Sequence, residues 1–277
     1  MKFAEMPYQR VDTEAVVAAL KELTQELKAA KSGEEQFEIH QKFYALRDEY
    51  NTTIQIAMIR SDVDTADEFY SEEKNYYNEV LPTINNQETE YRKALYYSPY
   101  REVLEEKIGK VAFKSMELEF KAMDEKLIPL MQEENALTTQ YDKLIASAKI
   151  DWEGEALNLS LLRPYMTHED REIRRKAHEK YSAFFQSKAE ELDEIYDKLV
   201  KNRTAQARLL GYENYVELGY YRMNRNSYGR EDVENFRRQI KEYFVPLAEK
   251  MHDKRRERLG LEKLSYIDEN MYFVDGN

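Results

Sequence analysis

The chain has 277 residues, 54 acidic against 42 basic side chains, a formal net charge of -12, no cysteine and only 8 Gly and 6 Pro. This length supports a substantial core in one or two domains, and the charge argues against nucleic acid or an anionic membrane as a partner. Without cysteine there is neither a disulfide framework nor thiol chemistry, and no apolar run approaches a membrane span. Met1-Lys2-Phe3-Ala4-Glu5-Met6-Pro7 lacks the apolar core of a signal peptide, so a cytoplasmic protein is expected.

From the N-terminus the apolar period is helical. Val16, Leu20, Leu23 and Leu27 step by four, three and four, which sets one stripe on one helix face. Ser32-Gly33-Glu34-Glu35 predicts a capping box at the start of a helix carrying Ile39, Phe43, Leu46, Tyr50, Ile54 and Ala57. Thr65-Ala66-Asp67-Glu68 predicts a second box, ahead of Phe69, Tyr76, Val80 and Ile84. Pro82 is expected to kink that helix without ending it, because Tyr91 and Leu95 hold the phase. Ser98-Pro99 should open the next helix with Pro in its first turn, and Gly109 should break it. Phe113, Met116, Phe120, Met123 and Leu127 form one further stripe, and Leu137, Tyr141 and Leu144 another.

Ile150-Asp151-Trp152 and Ala156–Leu159 alternate like strands about Glu153-Gly154, a β-hairpin signature. Thr167 is expected to cap a long helical region holding Ala177, Tyr181, Phe184, Leu192, Ile195 and Leu199, which ends near Gly211. Helices over 213–222 and 231–258 follow, with Gly229 between and Gly260 after, then an extended run at Met271–Val274 and turn chemistry at Asp275-Gly276-Asn277. The fold class is therefore all-α, a multi-helix lobe with one small β-hairpin. Two regions are expected: 1–145, an N-terminal helical region, and 146–277, the hairpin with long helices.

Few residues carry the marks of a site. The histidines are His40, His168, His178 and His252, and no two stand four apart. His168-Glu169 and His178-Glu179 therefore predict surface positions, not zinc ligands. Glu249-Lys250-Met251-His252 supplies one Glu-x-x-His pair, whereas a di-iron bundle needs two. Lys254-Arg255-Arg256-Glu257-Arg258 is expected to offset the negative end of a helix dipole, and Glu172-Lys176 is spaced for an ion pair. Many of the 22 tyrosines (Tyr50, Tyr76, Tyr91, Tyr141, Tyr181) fall on apolar stripes and predict core. The loop-flanked group Tyr220, Tyr221, Arg222, Asn224 and Arg225 differs. Its aromatics, guanidinium groups and amide suit contact with a peptide backbone or carboxylate, against the alternative of a solvated interhelical loop.

One stretch resembles a known family. Ala146-Ser147-Ala148-Lys149-Ile150-Asp151-Trp152-Glu153-Gly154-Glu155, Leu161-Leu162-Arg163-Pro164-Tyr165, Asp170-Arg171-Glu172-Ile173-Arg174-Arg175-Lys176-Ala177, Glu194–Val200, Arg203-Thr204-Ala205 and Leu210–Tyr220 with Arg222 are similar, in order and spacing, to the middle of oligoendopeptidase F. Met1-Lys2-Phe3, Ile59-Arg60 and Asp67-Glu68-Phe69-Tyr70 resemble its N-terminus. That branch of the thimet-oligopeptidase-like zinc metallopeptidases carries His-Glu-x-x-His on a helix, two histidines holding one zinc while the Glu activates its water. Here His168-Glu169-Asp170-Arg171-Glu172 and His178-Glu179-Lys180-Tyr181-Ser182 place Glu and Ser where the second His belongs.

The resemblance thus implies the N-terminal lobe of a zinc oligoendopeptidase, one wall of a channel admitting short peptides, with 146–277 as the start of the peptidase domain. Zinc would belong to the complete enzyme and none to this chain, which is expected to be inactive alone and to supply no catalytic and no metal residue. Its partners would be an oligopeptide substrate and the C-terminal half of the same enzyme, and the lobe should expose the apolar face that this half covers. The competing reading is a complete, non-catalytic acidic helical binding or scaffold protein, although the stripes hold no long heptad repeat.

Overall fold

The computed structural model describes residues 2–274, so the turn expected at Asp275-Gly276-Asn277 lies outside the described residues. The elements are α1 (Thr13–Ala29), α2 (Gly33–Val63), α3 (Glu68–Tyr96), α4 (Arg101–Ile108), α5 (Lys110–Ala122), α6 (Ile128–Ala146), β1 (Ile150–Trp152), β2 (Glu155–Leu157), α7 (Leu159–Met166), α8 (Arg171–Ser187), α9 (Ala189–Leu209), α10 (Tyr215–Arg222), α11 (Arg230–Gln239) and α12 (Val245–Arg258). The architecture is helical with one two-stranded sheet, as the periodicity predicts. Compactness divides the chain into two units, Met1–Thr139 with Lys198–Ser227, and Gln140–Asp197 with Tyr228–Asn277. These units are interleaved along the sequence.

In the first unit α1, α2 and α3 pack together and α4 and α5 close against α2 and α3. The core contains the α1 stripe Val16, Leu20, Leu23 and Leu27, joined by Phe43, Ile54, Tyr77, Ile84, Tyr91, Leu95, Leu104 and Phe113. Each of the fully buried side chains contributes about 1.5–3 kcal/mol of transfer free energy. Phe43 and Tyr91 stack in parallel with ring centres 4.1 Å apart. Gly33 lets α2 start against α4, because a Cβ there would lie 2.7 Å from Val103. Pro82 sits inside α3, which runs on through it to Tyr96.

In the first unit the local chemistry of the helix starts differs from expectation in three places. Ser32 does accept the Glu35 amide at 3.1 Å, but the Glu35 carboxylate accepts the Lys31 amide at 2.7 Å, not that of Ser32. Asp67, not Thr65, caps α3 by accepting the Tyr70 amide at 3.0 Å, since an ionised carboxylate is the stronger acceptor for a helix N-terminus. Ser98-Pro99 stays in the turn before α4, where the Ser98 hydroxyl accepts the Tyr100 amide at 3.0 Å. The stripe from Phe113 to Leu127 is also broken. Met123 is extended, and Asp124 caps a separate short turn at Glu125–Leu127 through the Lys126 amide at 3.0 Å.

In the second unit β1 and β2 pair antiparallel with Ile150 opposite Leu157 and Trp152 opposite Glu155. Glu153 and Gly154 both take positive φ, 54° and 94°, the geometry a two-residue hairpin turn requires. Ile150, Trp152, Leu157, Leu162 and Ala177 form the small core here, with the Tyr165 ring 4.6 Å from Trp152. Thr167 ends α7 and does not begin α8; Asp170 starts α8 by accepting the Glu172 amide at 2.8 Å. The long region expected after it is interrupted at Lys188, a non-helical turn between α8 and α9.

Glu172 pairs with Arg175 at 2.6 Å one step nearer than Lys176, while Lys176 reaches Glu153 at 3.4 Å and lies 5.2 Å from the Trp152 ring centre. Asp268, fully buried, receives Arg171 at 2.9 Å and Arg174 at 2.9 Å. One π-helical turn, Ile240–Phe244, joins α11 to α12. The basic cluster after it does not serve the helix dipole alone: Arg255 is buried and donates to the Glu269 carbonyl, and Arg258 donates to the Tyr272 carbonyl at 3.1 Å. Met271–Val274, held this way, joins no sheet: Met271 and Tyr272 are irregular, Phe273 is a bend and Val274 a turn.

Candidate functional site

A pocket of about 580 Å³ opens in the first unit. Helix periodicity builds it. α2 contributes Tyr44 and Arg47, three residues apart; α3 contributes Asn85, Glu88, Thr89 and Arg92 from one face; α5 contributes Ala112, Ser115, Met116 and Glu119 from one face. Met123 and Met131 add thioethers, and Tyr221, Arg222 and Asn224 complete the lining.

The group singled out in the sequence is therefore only partly gathered. Tyr221, Arg222 and Asn224 reach the pocket, whereas Tyr220 and Arg225 do not line it and stack on one another, guanidinium to ring centre 4.3 Å. Asn224 tolerates its left-handed φ of 52° as the chain leaves α10, and Asn226 ties this loop to α5 through a 3.1 Å hydrogen bond to Ser115.

Arg222 is fixed by what it touches. It donates to Glu134 at 3.1 Å and to the Gln206 amide oxygen. Glu134 also accepts from Arg203 at 2.7 Å and from Gln206 at 2.7 Å. Burial works to raise the Glu134 pKa, but the hydrogen bonds from Arg203 and Gln206 and the charge of Arg222 hold it below the usual carboxylate range. Tyr221 donates to Glu217 at 2.7 Å, and that hydrogen bond, with burial, pushes its phenol up to about 12. Tyr221 thus faces the pocket as a neutral phenol at neutral pH.

The opposite wall is a charged network that sequence reading does not reveal. Glu88 accepts from the Tyr50 hydroxyl and from Arg92 at 2.5 Å. Glu119 accepts from Arg92 at 2.8 Å and Thr89 at 2.7 Å. Burial, followed by the Glu88 hydrogen bond, drives the Tyr50 phenol far above its ordinary value, which keeps it a neutral donor. One signal was available: Glu88 and Arg92 sit in phase with the core positions Tyr91 and Leu95, where apolar side chains belong.

The histidines lie elsewhere. His40 is buried in the first unit's core; His168 accepts the Asp170 amide at 3.0 Å; His178 packs 5.3 Å from the Tyr266 ring, its pKa lowered first by burial; His252 is exposed on α12. Among the described residues no three His, Cys, Asp or Glu side chains converge to hold a metal ion. A zinc site needs such a convergence, so these side chains do not fit zinc and no step is assigned through it. Among the described residues no helix is long and apolar enough to cross a membrane.

Residues 3–123 match the Peptidase M3 N-terminal domain, and residues 164–274 match peptidase family M3. The chain belongs to peptidase family M3. Among solved structures it is similar to PZ peptidase A with inhibitor 2, at 43% identity and a TM-score of 0.96, over 100% of this chain and 49% of that one. It is also similar to a protein described as oligoendopeptidase F from Bacillus anthracis strain Ames, at 40% identity and a TM-score of 0.95, over 100% and 51%. A further oligoendopeptidase F structure gives 40% identity and 0.96 over 100% and 49%. This M3 chain therefore spans about half the length of the structures it matches. No curated protein matches it.

Proposed function

We propose that this chain is the N-terminal lobe of a zinc-dependent oligoendopeptidase that hydrolyses internal bonds of short peptides. In this reading the lobe forms one wall of the peptide channel, binds peptide, and does not cleave it alone. Residues 1–145 are its N-terminal helical region and 146–277 begin the peptidase domain, a division supported by the separate family matches at 3–123 and 164–274. The oligoendopeptidase names of two structures similar over the whole chain support the substrate class. A cytoplasmic setting is part of the proposal, which the cysteine-free composition permits.

The observation that carries the reading is the pocket itself. Its lining combines a held guanidinium (Arg222), a phenol (Tyr221), a side-chain amide (Asn224) and an adaptable thioether surface, a mixture suited to a peptide backbone. In the chemistry we propose, this lobe orients and encloses the peptide, and zinc, which would supply Lewis-acid chemistry, would be held by the second half of the enzyme. Tyr220 and Arg225 would serve as a stacked support for Tyr221 and Arg222, not as direct contacts.

A second observation bears on the partner half. Phe236, Tyr243, Phe244, Leu247 and Met251 lie along α11, the π turn and α12 with 50–68% of their surface exposed. So large an apolar stripe marks an interface, and we assign it to the remainder of the enzyme. The test is a direct titration of the chain with a quenched fluorogenic oligopeptide, with zinc added. Binding without turnover is expected, with weaker binding for Arg222→Ala. Chelator-sensitive turnover by this chain, or an Arg222→Ala affinity equal to wild type, would overturn the proposal.

A further inference from the structure

The charged side chains of the pocket are unequally matched. Arg92 spends its guanidinium on two carboxylates, Glu88 at 2.5 Å and Glu119 at 2.8 Å. Arg222 is held by Glu134 and Gln206. Arg47 has no comparable partner. Its Nε is buried without a hydrogen bond, and its ion contact is a 3.4 Å approach to Glu88, a carboxylate already engaged by Tyr50 and Arg92. The side chain is 35% exposed and lines the pocket.

Three arginines thus face two glutamates in this lining, a local positive excess within a chain of net charge -12. A guanidinium presents a planar fork of donors matched to a carboxylate, and a partly desolvated one left unsatisfied favours an anion. Beside it, Met116, Met123 and Met131 offer polarizable, unbranched side chains that accommodate varied neighbours. We propose that Arg47 anchors a carboxylate of the bound oligopeptide, with the adjoining peptide side chain laid on the methionines. This rests on the reading of the pocket as a peptide site and adds to it a charged anchor point.

The carboxylate can come from the peptide C-terminus or from an acidic side chain, and four ligands separate the two. The chain is titrated calorimetrically with one hexapeptide as free acid, as C-terminal amide, and with its single Glu changed to Gln in each form. For wild type, removing the anchoring carboxylate weakens binding about tenfold, the scale of one charge-assisted hydrogen bond. In Arg47→Gln that discrimination falls to near unity, while Arg47→Lys retains part of it. Loss on amidation identifies the C-terminus as the source, and loss on the Glu change identifies the side chain.

Equal wild-type affinity for all four peptides, or discrimination that survives Arg47→Gln, overturns the assignment and leaves peptide binding intact. Tighter binding of the amide also overturns it, since that outcome points to the acidic side of the pocket. Failure of every peptide to bind wild type removes the peptide reading itself, and the anchor with it.

Discussion

Protonation of His40 should cost the fold stability in a pH range where most carboxylates are still ionised. The imidazole is 3% exposed, with Phe43 and Tyr91 parallel to it and Tyr44, a pocket-lining residue, edge-on at 4.8 Å. Nδ1 lies 3.3 Å from the Tyr91 hydroxyl and Nε2 has no partner. Desolvation, reinforced by the charge of Arg92, lowers its pKa from 6.5 to about 4. The unfolded chain therefore binds the proton first, so stability is full above about pH 6.5 and falls as pH drops toward 4.

At about 1.4 kcal/mol per unit, the complete shift corresponds to about 3 kcal/mol, of which about 2 kcal/mol is lost between about pH 7.5 and about pH 5. Urea unfolding of wild type and His40→Leu across that range isolates the term, because the remaining titrations are common to both. The stability difference between them should change by about 2 kcal/mol in favour of the variant as pH falls. Parallel curves, or an imidazole NMR titration centred near 6.5, would refute the reasoning.

Asp268→Asn should destabilise the second unit by about 3 kcal/mol in thermal or urea unfolding, because it leaves buried Arg174 without its carboxylate. Burial opposes ionisation of Asp268, but Arg171, the Ser265 amide and Arg174 hold its pKa down to about 2, so its contribution is present above 3.8 and is lost as pH falls through about 2. Glu134→Gln should cost about 2 kcal/mol, between the values for exposed and buried pairs, and should weaken peptide binding as Arg222 loses its support; unchanged affinity would separate the network from the site. The exposed stripe on α11 and α12 predicts concentration-dependent self-association by light scattering, relieved by Phe236→Ser with Phe244→Ser, and a clean monomer at high concentration would contradict it.

How much of this is legible in the chain depends on how far apart the cooperating residues lie. The α1 stripe, the long α2 and the Glu153-Gly154 hairpin are written in local periodicity and turn chemistry, and each forms as expected. Breaks at Met123 and Lys188 were invisible because the apolar phase continues across both, while the caps that decide them are set by single side chains such as Asp124. At the start of α3 the cap is Asp67, two residues beyond the expected Thr65, a shift that periodicity does not register. The pocket was half legible. Tyr221, Arg222 and Asn224 share one short segment with a telling composition, but Arg47, Glu88, Arg92 and Glu119 come from three helices, and only packing brings them together. The family itself was readable from the ordered motifs between 146 and 223 and from the N-terminal blocks.

The most direct test is methyl NMR of the chain carrying ¹³C-methyl methionine, titrated with an oligopeptide. Met116, Met123 and Met131 line the pocket, whereas Met251 stands on the exposed stripe of α12 and serves as the internal control. Saturable shifts at the three pocket methyls, weakened by Arg222→Ala and absent at Met251, are the predicted result. Silent pocket methyls at saturating peptide, or shifts confined to Met251, would contradict the assignment of this lobe as a peptide-binding wall.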